Sequence, residues 1–163
     1  MKGASFIDMM VGFVLLFIIA IAIMVGTYMY NQIDYINVFN TSTTAQEGFQ
    51  HAGTTMNIMG EVFLVFVLAV GIGAVVSAFY IASNPAFFVI MIPVNAILII
   101  LTAVFSNAFE SLITLMPAEA TTHYLMILVM RNFPIVCIVL AFVVAAVAYS
   151  KTPYKTAGGG RLM

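Results

Sequence analysis

The sequence has very few charged residues. Five Lys or Arg and six Asp or Glu make up only 7% of its 163 residues, whereas 64% of the residues are hydrophobic. Soluble domains carry about a quarter of their residues as charged side chains. So few charges cannot cover a water-facing surface, and the composition therefore predicts a protein embedded in a lipid bilayer.

Three further scarcities exclude other classes of protein. The net charge of −1 leaves no basic patch for phosphate groups, so nucleic acid is not an expected partner. The single cysteine, Cys137, lies in an apolar run and cannot form an internal disulfide. Tryptophan is absent, so tyrosines such as Tyr30 and Tyr149 are expected at the membrane interfaces.

Long apolar segments fill most of the chain. A helix that crosses a bilayer needs about 20 apolar residues. The pattern predicts an all-α integral membrane protein with one transmembrane domain, residues 1–150, and a basic, glycine-rich tail at 151–163. Its four transmembrane helices are predicted at about 9–30, 58–82, 85–107 and 124–149, with outer loops at 31–57 and 108–123.

A turn is required between the second and third spans. As one helix, the segment 58–107 would be about 75 Å long, more than twice the thickness of the hydrocarbon core. Ser83, Asn84 and Pro85 supply suitable residues, because a residue before proline avoids the helical conformation and proline suits the first position of a helix. Spans two and three are therefore predicted to form a tight hairpin.

The basic residues flank the apolar domain at its two ends. Lys2 precedes the first span, and Lys151, Lys155 and Arg161 follow the fourth, whereas the predicted outer loops contain no Lys or Arg. Under the positive-inside rule, this distribution predicts that both termini face the cytoplasm or an equivalent interior side.

Only a few polar residues are predicted to lie at positions in the bundle where they could interact with one another. At about 1.5 Å per residue from the predicted turn, Glu61, Glu110 and Arg131 reach one outer level, where they are expected either to form an ion-pair cluster or to reach water separately. Pro93 and Asn95 predict a kink and a polar point inside the third span. The sequence places no ionisable residue at the bilayer centre, which argues against an ion-coupled transporter.

Two pairs of Glu and His invite a metal-binding interpretation. Glu47 and His51 are four residues apart, as are Glu119 and His123, and each pair would share one face of a helix. The di-iron pattern of helical bundles has the shorter Glu-x-x-His spacing. The sequence also has no catalytic triad order and no glycine-rich phosphate loop. We therefore predict no catalytic residue, no cofactor and no metal site.

Small residues recur at intervals of four. Ala69, Gly73 and Ser77 follow this spacing in the second span, and Ala22 and Gly26 follow it in the first. Such positions allow helices to approach closely in a bilayer. They predict helix packing within the bundle or, alternatively, self-association of several copies.

The Ser-Asn-Pro turn, the apolar span after it and the following SNAFESL segment resemble small multi-span membrane proteins of lipid-containing icosahedral viruses and phages. The resemblance covers residues 60–112 and rests on composition rather than on a diagnostic motif. It implies a virion membrane component that contacts capsid proteins.

These features predict a non-enzymatic structural or assembly protein that packs laterally in a larger membrane assembly. The expected partners are the lipid bilayer and other membrane or capsid-like proteins, which the outer loops would contact in an oligomer or hetero-assembly. One alternative is a holin-like pore former lined by Asn95 and Ser77. Another is an accessory subunit of a membrane enzyme complex.

Overall fold

The computed structural model describes residues 6–35, 42–80 and 85–150. Within these ranges the chain forms helices and no strand, which confirms the predicted all-helical class. The helices are α1 (Phe6–Tyr35), α2 (Thr43–Tyr80), α3 (Pro85–Leu115), α4 (Pro117–Thr122), α5 (Tyr124–Arg131) and α6 (Phe133–Tyr149). Three of them are long and apolar enough to cross a membrane, and the number rises to four if α5 and α6 form one bent span.

The long helices extend well beyond the predicted spans. Helix α2 has 38 residues, which corresponds to about 57 Å at 1.5 Å per residue and is nearly twice the hydrocarbon thickness. The segment 31–57, which was expected to be a loop, is helical at both ends, because α1 continues to Tyr35 and α2 begins at Thr43. The second expected loop, 108–123, likewise contains the end of α3 and all of α4.

The fourth predicted span is not one straight helix. The axes of α5 and α6 differ by 69° at Asn132. Pro134 explains the break, since proline has no backbone N–H and its ring clashes with the carbonyl group four residues earlier, that of Met130. Asn132 ends α5 by donating its backbone N–H and its side-chain amide to the Leu128 carbonyl oxygen, at 3.3 and 2.8 Å.

Helix α6 packs against both α2 and α3, whereas direct contact between α2 and α3 is sparse among the described residues. Pro85 begins α3, as the predicted turn requires, but Ser83 and Asn84 lie outside the described residues. Helices α1 and α2 are antiparallel, because Gly12 lies beside Val70 and Gly26 lies beside Met56.

Aromatic and methionine side chains fill the core next to the bend. The Phe17 and Phe105 rings stack with centroids 4.2 Å apart, and the Phe13 and Phe133 rings meet edge to face at 5.4 Å. Met130, immediately before the break, is also fully buried. The bend therefore directs residues from both α5 and α6 into one core shared with α1 and α3.

Candidate functional site

A polar layer, in which every residue except Asn31 is buried, links α1 to the α4–α5 junction. It consists of Thr27 and Asn31 on α1, Glu119 on α4, and His123 between α4 and α5. The Thr27 hydroxyl group lies 2.8 Å from His123 Nε2, and the Asn31 amide donates to Glu119 Oε1 at 2.9 Å. Glu119 and His123 are only 5% and 1% exposed, so two ionisable side chains are held inside an otherwise apolar bundle.

The hydrogen bonds of Thr27 determine which nitrogen of His123 carries the proton. The Thr27 hydroxyl group donates its one hydrogen to the Ile23 carbonyl oxygen at 2.9 Å. With its hydrogen placed in this way, the hydroxyl oxygen is free to accept from His123, and we therefore assign the imidazole proton to Nε2. The Nδ1 atom is then an unprotonated acceptor, and it has no hydrogen-bond partner among the described residues.

Gly60 of α2 forms the wall that faces His123 Nδ1. A Cβ atom at position 60 would lie 2.9 Å from Nδ1 and 3.4 Å from the His123 Cα atom. Glycine is therefore needed for α2 to approach this junction so closely. Burial lowers the pKa of His123, and the neighbouring Glu119 carboxylate offsets only part of that effect.

The backbone of His123 joins two helices that point in different directions. Its N–H donates to the Glu119 carbonyl oxygen at 3.2 Å and ends α4, while its carbonyl oxygen accepts from the Ile127 N–H at 3.0 Å and starts α5. The side chain that contacts Thr27 therefore extends from the corner itself. A change at His123 would act on both helices.

Close to the polar layer, α1 also contacts α2 through an aromatic pair. The Tyr30 ring stacks on Phe49 at 4.4 Å, and its hydroxyl group donates to the Phe49 carbonyl oxygen at 3.2 Å. Gly53 leaves the space for this ring, because a Cβ atom there would collide with the Tyr30 hydroxyl group. The N-terminal part of α2, residues 43–57, is thus attached to α1.

Only two of the three residues expected to form an ion-pair cluster are in contact. Arg131 Nη2 lies 3.1 Å from Glu110 Oε1, and the two side chains are 66% and 49% exposed. Glu61 is exposed and takes no part in this ion pair. The α5–α6 bend is joined to α3 by Ser106, whose hydroxyl group donates to the Arg131 carbonyl oxygen at 2.8 Å.

The small residues on α1 and α2 differ in their surroundings. Gly26 faces Met56, with 3.8 Å between the position of a Cβ atom and the methionine sulfur. Ala22, Ala69 and Gly73 are exposed, and no atom lies within 4 Å of a Cβ position at Gly73. Ser77 is partly buried. Most of the predicted packing positions on α2 therefore face away from the bundle.

The polar residues of α3 lie on a continuous helix. Pro93 is inside α3 and is exposed, and the helix continues on both sides of it. The Oδ1 atom of Asn95 is buried and has no hydrogen-bond partner among the described residues. The arrangement leaves an unsatisfied amide oxygen in the middle of an apolar helix.

The two Glu–His pairs have different environments. Glu47 and His51 are exposed on the N-terminal part of α2, whereas Glu119 and His123 are buried in the polar layer. The described residues contain no group of three or more His, Cys, Asp or Glu side chains that could hold a metal ion. Thr27, Asn31 and Gly60 were not identified from sequence, although polar residues four apart near the end of an apolar helix are a usable signal.

The class defined by these features is an all-helical protein with three, or up to four, helices able to cross a membrane. Comparison with protein-family models, with curated proteins and with solved structures found no match.

Proposed function

We propose that the protein is a non-enzymatic structural subunit with four membrane spans, which packs laterally in a larger membrane assembly. In this proposal the bent α5–α6 pair forms the fourth span. An even number of spans puts both termini on one side, and the basic flanks assign that side to the interior. A virion membrane is the setting that the resemblance of residues 60–112 supports.

The exposed face of α2 is the observation that carries the proposal. Only 11% of the most apolar 18-residue window of α2 is buried, compared with 33% for α1 and 22% for α3. Five of the exposed residues recur at helical spacing and form one stripe, which we call the α2 face: Val65, Ala69, Ile72, Gly73 and Val76.

Exposed apolar residues alone would suit contact with lipid, but small residues favour contact with another helix. Association in a bilayer depends on close packing, because lipid chains are as apolar as the helix surface. Gly73 provides an indentation in the α2 face, and the face borders an apolar groove of about 520 Å³ between α2 and α6. Ile72 and Val76 belong to both the face and the groove.

The proposal is tested by enlarging the smallest residue of the face. Gly73→Leu fills the indentation without touching the bundle, so the protein is expected to insert normally and to lose its neighbours. The loss should be about tenfold in association constant, equivalent to about 1.4 kcal/mol. The measurement is the size of the native complex extracted with a mild detergent from membranes.

The matched control is Ala146→Leu, which enlarges an exposed small residue on α6. Complexes of normal size in the Ala146 variant and smaller ones in the Gly73 variant support the proposal. A wild-type protein that is monomeric in its native membrane would overturn it. Depolarisation of the membrane on expression, abolished by Asn95→Leu, would favour a pore former instead.

A further inference from the structure

The chain has two histidines, and the structure places them in opposite environments. His51 is exposed on α2, whereas His123 is 1% exposed and lies where α1, α2, α4 and α5 meet. A neutral His123 satisfies its Nε2–H through Thr27. A protonated His123 would carry a second N–H on Nδ1, directed at the backbone of Gly60, which offers no acceptor to that atom.

We propose that His123 is a proton-responsive latch that holds the α4–α5 corner against α1 and α2 while it is neutral and releases the corner when it is protonated. The basis is geometric. The ring fits its site only as the Nε2–H tautomer, and the space beside Nδ1 is closed by α2. Release would expose the imidazolium to water, where both N–H groups are hydrogen-bonded.

The groups around His123 do not fully compensate a protonated ring, either by accepting its second hydrogen bond or by balancing its charge. On α4, Glu119 is the ionisable group that acts on His123, and one of its oxygens already accepts from Asn31. Helix α1 presents Thr27, an uncharged hydroxyl group, and α2 presents the Gly60 backbone. The charged or titratable side chains next to the layer in sequence, Glu61 and Tyr124, are exposed.

The direction of the pH effect follows from the burial of the ring. Burial lowers the pKa of His123 below its ordinary value of 6.5, so the closed corner binds the proton more weakly than the open corner. The latch therefore holds fully above about pH 6.5 and weakens as the pH falls from there towards the lowered pKa. One proton is involved, so the ratio of closed to open corner should fall by up to about tenfold per pH unit within this window.

The test is amide hydrogen exchange of residues 117–131 in the full-length protein, reconstituted in phospholipid nanodiscs. The amide groups of Ala120, His123 and Ile127 report directly on the corner, because each donates to a carbonyl group four residues earlier. After correction for the intrinsic pH dependence of exchange, protection of this segment should fall between pH 8 and pH 5. Protection of α6 should stay constant.

His123→Gln should remove the pH dependence, because glutamine keeps an amide donor for Thr27 and cannot be protonated. His51→Gln is the matched control and should leave the pH dependence unchanged. Glu119→Gln should enlarge the response, because the variant lacks the negative charge that favours the imidazolium in the closed corner and so widens the gap between the closed and open pKa values of His123. A flat wild-type profile overturns the proposal, as does a slope that persists in the His123 variant.

If His123→Gln does not fold, as judged by circular dichroism at pH 8, a second pair of variants at Thr27 tests the latch. Thr27→Val leaves the Nε2–H without an acceptor, so protection at pH 8 should fall towards the acid value. Thr27→Ser keeps the hydroxyl group and should preserve both the protection and its pH dependence. Equal protection in the Val and Ser variants at pH 8 would contradict the latch.

Discussion

At the scale of single residues, Gly60 and His123 determine how closely α2 approaches the α4–α5 corner. The two residues touch through the backbone on one side and an imidazole ring on the other, with no room for a methyl group between them. In a close-packed interior, an added methyl group forces neighbouring atoms to shift. The identity of residue 60 is therefore a structural requirement of the polar layer.

Gly60→Ala is expected to destabilise the protein by about 1–3 kcal/mol, the usual cost of overpacking a buried site. Gly48→Ala is the matched control on the same helix, because no atom lies within 4 Å of its Cβ position. That variant should be neutral or more stable by roughly 0.5–1 kcal/mol, since alanine favours helix over glycine. Both predictions are checked by measuring the free energy of unfolding of each variant in detergent micelles. Changes of the same sign and size in the two variants would contradict the close contact between Gly60 and His123.

The pairing in the polar layer could not be predicted from the sequence, although its members could be seen. Glu119 and His123 stood out by their spacing of four, but nothing local indicated that they would be buried. Thr27 and His123 are 96 residues apart, so only the tertiary packing of α1 against the corner brings them together. The ion pair of Glu110 and Arg131 was easier to anticipate, because residue counting placed both near one level.

At the scale of helices, the bend between α5 and α6 distinguishes this bundle from four straight spans. Hydropathy predicted a single span over 124–149, because the apolar character is continuous across the break. Pro134 was the available signal, since a proline inside an apolar run usually ends or kinks the helix before it. The length of α2 was also underestimated, because residues 43–57, which are mostly polar or small, continue the helix.

Pro134→Ala is expected to straighten the α5–α6 pair by restoring a backbone donor and removing the ring clash. Spin labels on residues 125 and 143, with Cys137 replaced by serine, measure the change. Their separation should lengthen towards the rise of about 27 Å that an unbroken helix gives over 18 residues.

Pro117→Ala is the control for this experiment. Pro117 is the first residue of α4, a position where proline is well tolerated, so the separation should not change. An unchanged separation in the Pro134 variant would mean that the contacts of α5 with α2 and α3 impose the bend, contrary to our explanation.

At the scale of the whole molecule, the feature most relevant to assembly is that the α2 face points away from the bundle. The sequence predicted small-residue packing positions but left open whether they pack within the bundle or between copies. The structure places Ala69 and Gly73 on the outside, while Gly26 packs inside against Met56. Lateral assembly is thus the use that we propose for the exposed positions, whereas other small residues, such as Ala20 and Ala78, are buried in the core.

Photo-crosslinking in native membranes tests lateral assembly most directly. A diazirine analogue of leucine at Ile72 probes the α2 face, and the same analogue at Ile100 of α3 is the control. The two side chains are matched in type and in exposure, at 64% and 66%. We expect protein adducts to concentrate at position 72 and lipid adducts to dominate at position 100. Lipid adducts alone at both positions would contradict assembly through α2.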